Sequence, residues 1–208
     1  MDMTQTISAF VTLFVVIDPI GLLPPFIVLT RNMDRARCRR VGWRALIIAA
    51  GLLTLFGLAG EAILAGIGIS LPAFRIAGGV LLFLTALDML FERRTERREG
   101  QTRDDPERED SDDPSVFPLA MPLLAGPGAL ASMILLVNQN QSALHTLVIH
   151  GMMLAVLGIA ALLFALAVPI AHLLGRTGTM VVTRLFGMLL AALSVQFVID
   201  GLKGSGLA

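Results

Sequence analysis

The sequence predicts an all-α membrane protein with six transmembrane helices, arranged as two inverted repeats of three, the first and fourth spans discontinuous. Three observations predict it. The chain has 208 residues, of which 55% are apolar and only 15% charged, whereas a soluble domain carries about a quarter charged residues. Mean hydropathy is +0.79, and the apolar residues run without interruption over stretches of bilayer length. The basic residues are confined almost entirely to alternate connections.

A helix needs about 20 apolar residues to cross the hydrocarbon. Six windows qualify, at about 8–29, 45–67, 73–91, 117–137, 146–171 and 181–201. Backbone polar groups in lipid must be bonded internally, which leaves helices or closed barrels. The apolar–polar alternation of a barrel strand is missing. Met1–Ser8 has no basic residue, so the first apolar run is expected as a retained span rather than a cleaved signal.

Orientation follows from the arginines. Arg31, Arg35, Arg37, Arg39, Arg40 and Arg44 follow the first span, and Arg93, Arg94, Arg97, Arg98, Arg103 and Arg108 follow the third. Arg176 and Arg184 lie where the fifth span connects to the sixth. With six spans these regions share one side, and they hold fourteen of the sixteen basic residues. The positive-inside rule puts them in the cytoplasm and both termini outside. Trp43, beside Arg44, reads as an interfacial anchor. The expected division is 1–91 as an N-terminal three-helix repeat, 92–115 as a polar cytoplasmic linker, and 116–208 as the inverted second repeat. Segment 92–113 holds ten of the sixteen acidic residues.

The repeat shows as paired motifs. Arg75-Ile-Ala-Gly78 opens the third span and Arg184-Leu-Phe-Gly187 the sixth, 109 positions later, with Thr85 and Ser194 at the same offset. Pro19 and Pro127 stand 108 positions apart in the first and fourth spans. Three spans per half is odd, so the second copy inserts upside down, the plan of many secondary transporters.

Both matched prolines sit where a helix should break. The first span contains Asp18-Pro19-Ile20-Gly21-Leu22-Leu23-Pro24-Pro25, and the fourth Ala125-Gly126-Pro127-Gly128-Ala129. Proline removes a donor, and the residue before it avoids α geometry. A restart at Pro19 is expected, capped by Asp18, and another at Pro127 after Gly126. Each restart leaves unbonded N–H groups and partial positive charge inside the bilayer, a setting that binds anions. Asp18 adds a carboxylate at one break while Gly126 leaves the other bare. A zwitterion fits that pair, its carboxylate on the amides of Gly128 and Ala129 and its ammonium near Asp18. A pair of plain kinks is the alternative.

Charges within spans are costly and face a cavity or a partner. Glu61 and Arg75 fall near the outer ends of the second and third spans, and Asp88 and Arg184 at similar depth on the cytoplasmic side; each couple is expected as an ion pair or as a gate made and broken during transport. Asp200 is expected at the outer interface. Thr12, Thr54, Thr85, Ser132, Ser194 and Gln196 are polar positions available to neighbouring helices or to a guest. Cys38 has no partner for a disulfide; His145, His150 and His172 lack zinc spacing, and His145 and His150, which could share the mouth of one helix, read as interfacial. No cofactor, metal or nucleic acid is expected.

The motifs together resemble the MarC family of prokaryotic membrane proteins. They are Asp18-Pro19-Ile20-Gly21 with Pro24, Gly68-Ile-Ser-Leu-Pro-Ala-Phe-Arg-Ile-Ala-Gly-Gly79, Pro118-Leu-Ala-Met-Pro-Leu-Leu-Ala-Gly-Pro-Gly-Ala129, Arg184-Leu-Phe-Gly187 and Gln196-Phe-Val-Ile-Asp-Gly201. The resemblance covers nearly the whole chain except 92–113. It implies six spans in the inner (plasma) membrane and, for some members, movement of small neutral amino acids such as glycine, alanine and serine; an older label is multiple antibiotic resistance. By motif, Asp18, Pro19 and Gly21 match the first broken helix, Gly126, Pro127 and Gly128 the second, and Arg75 and Arg184 the paired Arg-x-x-Gly openings. This chain departs at Leu22, where many members carry a small or polar residue.

The function expected is a secondary transporter of small neutral amino acids or similar zwitterions. With no nucleotide-binding motif, it would be driven by a gradient, of H+ or Na+ or of the solute itself. The competing readings are an exporter of other small hydrophilic metabolites and a non-catalytic membrane subunit that docks a partner through the linker. An enzyme is not expected: the chain has no His-Glu-x-x-His, no Gly-x-Gly-Asp and no nucleophile beside a base.

Overall fold

A computed structural model describes residues 3–31, 33–91, 113–140 and 142–206, and among these every regular element is helical. The linker expected over 92–115 lies outside the described residues except for its last three. Eight elements follow in order: α1 (Met3–Ile17), α2 (Leu23–Thr30), α3 (Arg35–Gly66), α4 (Leu71–Leu90), α5 (Ser115–Leu124), α6 (Pro127–Val137), α7 (Ala143–Ala165) and α8 (Ala167–Gly204).

Among the described residues, α3, α4, α7 and the Met180–Gly204 part of α8 are each long and apolar enough to cross a membrane. The first and fourth expected spans are not single helices. Each is divided, at 18–22 and at 125–126, so that its pieces fall short of bilayer length. The surface fits lipid. Leu147 is 69% exposed and Ile47 65%, with Leu58, Leu84, Leu162 and Leu189 exposed around them. An apolar exterior this extensive has no place in water.

Two expected loops are helical. The arginine-rich stretch after the first span is the start of α3, capped by Asp34, whose carboxylate accepts the Arg37 N–H at 2.6 Å. At 32 residues α3 is about 48 Å long, so its basic turns extend beyond a hydrocarbon layer of about 30 Å. The second is the connection expected between residues 171 and 181. The chain breaks earlier, at Leu166 (φ −102°, ψ 15°), and α8 then runs unbroken to Gly204. Pro169 explains the position: it falls in the first turn of α8, where its missing N–H costs nothing.

Helix α6 is the centre of the packing. Gly128, Ala129 and every residue from Ala131 to Val137 are buried, enclosed by α1, α3, α4 and α7. Around it Phe26 of α2 stacks on Phe164 of α7, ring centroids 4.2 Å apart. The most extensive pairing is between α4 and α8, which run antiparallel. Glycines set its closeness. A Cβ on Gly79 would meet the Ser194 carbonyl oxygen and Val198 at 2.8 Å, one on Gly187 would meet Met89 at 3.1 Å and Leu90 at 3.2 Å, and one on Gly201 would meet Ile76 at 2.6 Å. With no hydrophobic drive between helices in lipid, such backbone approach supplies the contact.

The start of α5 is tied to α3. The Asp113 carboxylate accepts from the Ser115 N–H (3.0 Å) and hydroxyl (2.6 Å) and pairs with Arg44. The Ser115 hydroxyl, helped by its N–H and by Arg44 and Arg37, holds the Asp113 carboxyl below the usual carboxylate range. Its contribution is therefore full at neutral pH and is lost as pH falls through that lowered value. Helix α5 itself is irregular. Phe117 (φ −129°, ψ 128°) and Met121 (φ −129°, ψ 125°) are extended, and each precedes a proline, Pro118 or Pro122, which forces it out of α geometry.

Replacing Gly79 with alanine should destabilise the fold by about 1–3 kcal/mol through overpacking. The control is Gly51→Ala in α3, where an added Cβ would meet nothing within 4 Å beyond the helix's own backbone; that change should be neutral or stabilising by about 0.5–1 kcal/mol. Thermal unfolding of both variants in detergent checks the contrast.

Candidate functional site

The first break is built by Asp18. Its N–H ends α1 by donating to the Phe14 carbonyl at 2.9 Å, and its backbone then turns left-handed at φ 52°. Aspartate is among the few residues that adopt this conformation readily. The side chain folds back over the following turn, and Oδ1 accepts the Gly21 N–H at 3.0 Å. Gly21 has no alternative: a Cβ there would lie 1.9 Å from Asp18 Oδ2. Asp18 therefore caps the turn at Gly21 rather than the restarted helix, because α2 has no side-chain cap. The restart is later than expected, because residues 19–22 form turns and regular helix resumes only at Leu23. Asp18 is 4% exposed and Pro19 is also buried.

The second break is simpler. Ala125 (φ −101°, ψ 56°) leaves the helical path, Gly126 is extended (φ −71°, ψ 166°), and α6 begins at Pro127. Leu130 N–H donates to the Gly126 carbonyl at 3.0 Å, the first bond of α6. No side chain caps this end. The amides of Gly128 and Ala129 are thus the orphan donors of a helix N-terminus inside the protein. A carboxylate guards one break, and uncapped amides form the other.

The two breaks adjoin. A Cβ on Gly128 would stand 3.7 Å from Val16 Cγ1, two residues before Asp18, and 2.3 Å from Leu82 Cδ2. Ile17, Leu22, Leu23, Leu124, Ala125 and Ala129 share one buried cluster. Of the residues singled out in sequence, Asp18, Pro19, Gly128 and Ala129 are buried and Gly21 and Gly126 half-buried around this junction. Pro127 is different. Its ring is exposed and lines an apolar groove of about 200 Å³ between α3, α4 and α6, with Phe56, Phe74, Leu81 and Ile134.

The expected ion pairs are not formed. Arg44 and Asp113 lie within 4 Å of each other, and neither Glu61–Arg75 nor Asp88–Arg184 is so placed. Glu61 is turned to the exposed side of α3, whereas its neighbour Gly60 packs against Ile134 of α6. Arg75 and Asp88 are half-buried on α4, and Arg184 is exposed on α8.

Two histidines also depart from their expected interfacial places. His145 is 6% exposed, and its Nε2–H donates to the Leu136 carbonyl at 2.8 Å, capping the C-terminal end of α6. His150 donates Nδ1–H to the Thr146 carbonyl at 2.8 Å, and its Nε2 lies 3.3 Å from where a Gly57 Cβ would stand. Their signal in the sequence was the short connection after α6, which returns the first turns of α7 against that helix. His172 lies in a part of α8 whose side chains are outside the described set.

The pattern described as MarC family integral membrane protein matches residues 3–205. The chain belongs to the MarC family. A UPF0056 membrane protein of Archaeoglobus fulgidus is 39% identical over 94% of this chain and 91% of its own length. The UPF0056 membrane protein MJ1677 of Methanocaldococcus jannaschii is 36% identical over 99% of both chains. The UPF0056 inner membrane protein YhgN of Escherichia coli K12 is 33% identical over 97% of this chain and 98% of its own length. No solved structure matches. This MarC protein is an integral multi-pass membrane protein, and its relatives are inner-membrane proteins where their location is named.

Gly21→Ala should force the Asp18 carboxylate off the turn and break its bond to the Gly21 N–H, costing about 1–3 kcal/mol. Asp18→Asn keeps an acceptor oxygen and tolerates the left-handed backbone, so it should cost less. Unfolding temperatures of the two purified variants decide it, with Gly21→Ala the lower.

Proposed function

We propose that this MarC protein is a secondary transporter of small neutral amino acids or similar zwitterions, held at mid-membrane between its two broken helices. One observation carries the reading: the buried Asp18 carboxylate and the uncapped amides of Gly128 and Ala129 belong to adjoining breaks in a lipid-facing protein. Backbone left unbonded at membrane depth is tolerated where it lines a cavity or a site. An anion-binding helix end beside a carboxylate suits a molecule carrying both charges.

In this reading the chain crosses the membrane six times as two inverted halves, with α1–α2 and α5–α6 as broken spans. A constant offset supports it. Pro19 and Pro127 are 108 positions apart, as are the first residues of α3 and α7, Arg35 and Ala143. Gly79 and Gly187 are also 108 apart, and their contacts are exchanged: Gly79 meets Ser194 and Val198, and Gly187 meets Ala86 and Leu90, each 108 positions from its counterpart. The match is with Gly79 rather than Gly78, one residue from the alignment the motifs suggested. Exchanged contacts are what a two-fold axis between α4 and α8 produces.

The arginine-rich ends face the cytoplasm and both termini face out. Asp18 is the coupling group, taking up a proton or a sodium ion. The Glu61–Arg75 and Asp88–Arg184 pairs, not formed here, belong to another state of the cycle.

Purified protein in liposomes should exchange labelled glycine, alanine and serine, and its uptake should respond to a pH gradient. Asp18→Asn should abolish that response while sparing exchange. A panel in which only other hydrophilic solutes move would replace the amino-acid reading with a metabolite exporter. Arg75→Gln should slow exchange at least about tenfold if it gates the site, about the value of one lost charged hydrogen bond; full activity removes the gate.

A further inference from the structure

Three hydroxyls inside these helices are satisfied by their own helix, and a fourth, fully buried, is not. Thr30, Thr85 and Ser194 each donate to a carbonyl of the preceding turn, those of Phe26, Leu81 and Ala191. Ser132 in α6 is wholly buried, yet its hydroxyl has no hydrogen-bond partner among the described residues. A buried donor left unbonded is unfavourable. The usual outlet, the carbonyl four residues back, is there at Gly128 and is not used.

The position of Ser132 gives this meaning. It follows Gly128 by one helical turn, about 6 Å along the axis. Residues four apart lie on one face, and helical side chains lean toward the N-terminus. The hydroxyl therefore leans toward the open end of α6. The face it shares with Gly128 is turned to Leu82 of α4 and Val16 of α1, beside the Asp18 break. Two uncapped amides and a free hydroxyl are three donors with no acceptor among them, a set that suits a carboxylate.

We propose that Ser132 is a substrate-binding residue, donating to the carboxylate of a small zwitterion alongside the amides of Gly128 and Ala129. This rests on the transport reading above and adds a residue to it. Leu82 Cδ2 reaches 2.3 Å from where a Cβ on Gly128 would stand, so its side chain packs directly against Gly128.

Unfolding temperature against L-alanine concentration, for wild type and Ser132→Ala, tests this. The variant should be at least as stable as wild type without ligand, since it loses an unbonded hydroxyl. It should need at least about tenfold more alanine for the same stabilisation, about the factor of a lost hydrogen bond to a charged group. Equal alanine dependence overturns the assignment. Acetate in place of alanine shows whether a carboxylate alone suffices, and stabilisation by acetate to the same degree would overturn the zwitterion. If wild type responds to no amino acid, the transport reading fails separately, and a second arm decides the role of Ser132. In a Cys38→Ala background, Ser132→Cys should react with a small hydrophilic ammonium-bearing methanethiosulfonate, as a position open to polar guests must. Protection equal to that of a cysteine at Leu135 makes Ser132 a packing residue and overturns the proposal.

Discussion

Everything in this fold turns on the rule that a peptide group in hydrocarbon must find its hydrogen bond within its own helix. Long stretches obey it: α3, α4, α7 and most of α8 are continuous apolar helices. The rule is suspended at two places, before Pro19, where the chain is buried, and before Pro127, where Gly126 is half-buried and the proline ring is exposed while Gly128 and Ala129 are buried. At the first, an aspartate in a left-handed turn supplies the missing acceptor. At the second, no side chain among the described residues caps the helix. That asymmetry between matching positions is the chemical content of the site.

The rest of the molecule reads as support for those two places. Helix α6 is buried from Gly128 onward apart from Leu130 and is held by contacts with four neighbouring helices. The His145 bond to Leu136 closes its other end. Helices α4 and α8 form a glycine-lined antiparallel pair, and Leu82 of α4 and Val16 of α1 pack against Gly128. Small residues at helix contacts allow this in lipid without any hydrophobic drive.

Much of this was legible in the sequence, for physical reasons. Asp-Pro and Gly-Pro in apolar runs dictate breaks, and both breaks are present. Uninterrupted apolar stretches dictate helices. The family was legible from its motifs. What the sequence hid depends on tertiary contact. Arg35–Arg44 looks like a loop because it is charged, yet it is the water-facing end of a helix capped by Asp34. The Arg176 region looks like a connection for the same reason, while the break falls at Leu166. The burial of His145, the separation of Glu61 from Arg75, and the unbonded hydroxyl of Ser132 are set by which face each helix turns inward. The continuous apolar surface of a membrane helix does not encode that choice strongly.

The most direct measurement is the amide spectrum of Gly128 and Ala129 in 15N-labelled protein in nanodiscs, followed as L-alanine is added. The account requires both resonances to move saturably toward lower field, as N–H groups do on gaining a charged acceptor, while amides in the middle of α3 stay fixed. Alanine that binds without moving them, or amides there already as protected from exchange as those of an unbroken helix, would contradict it.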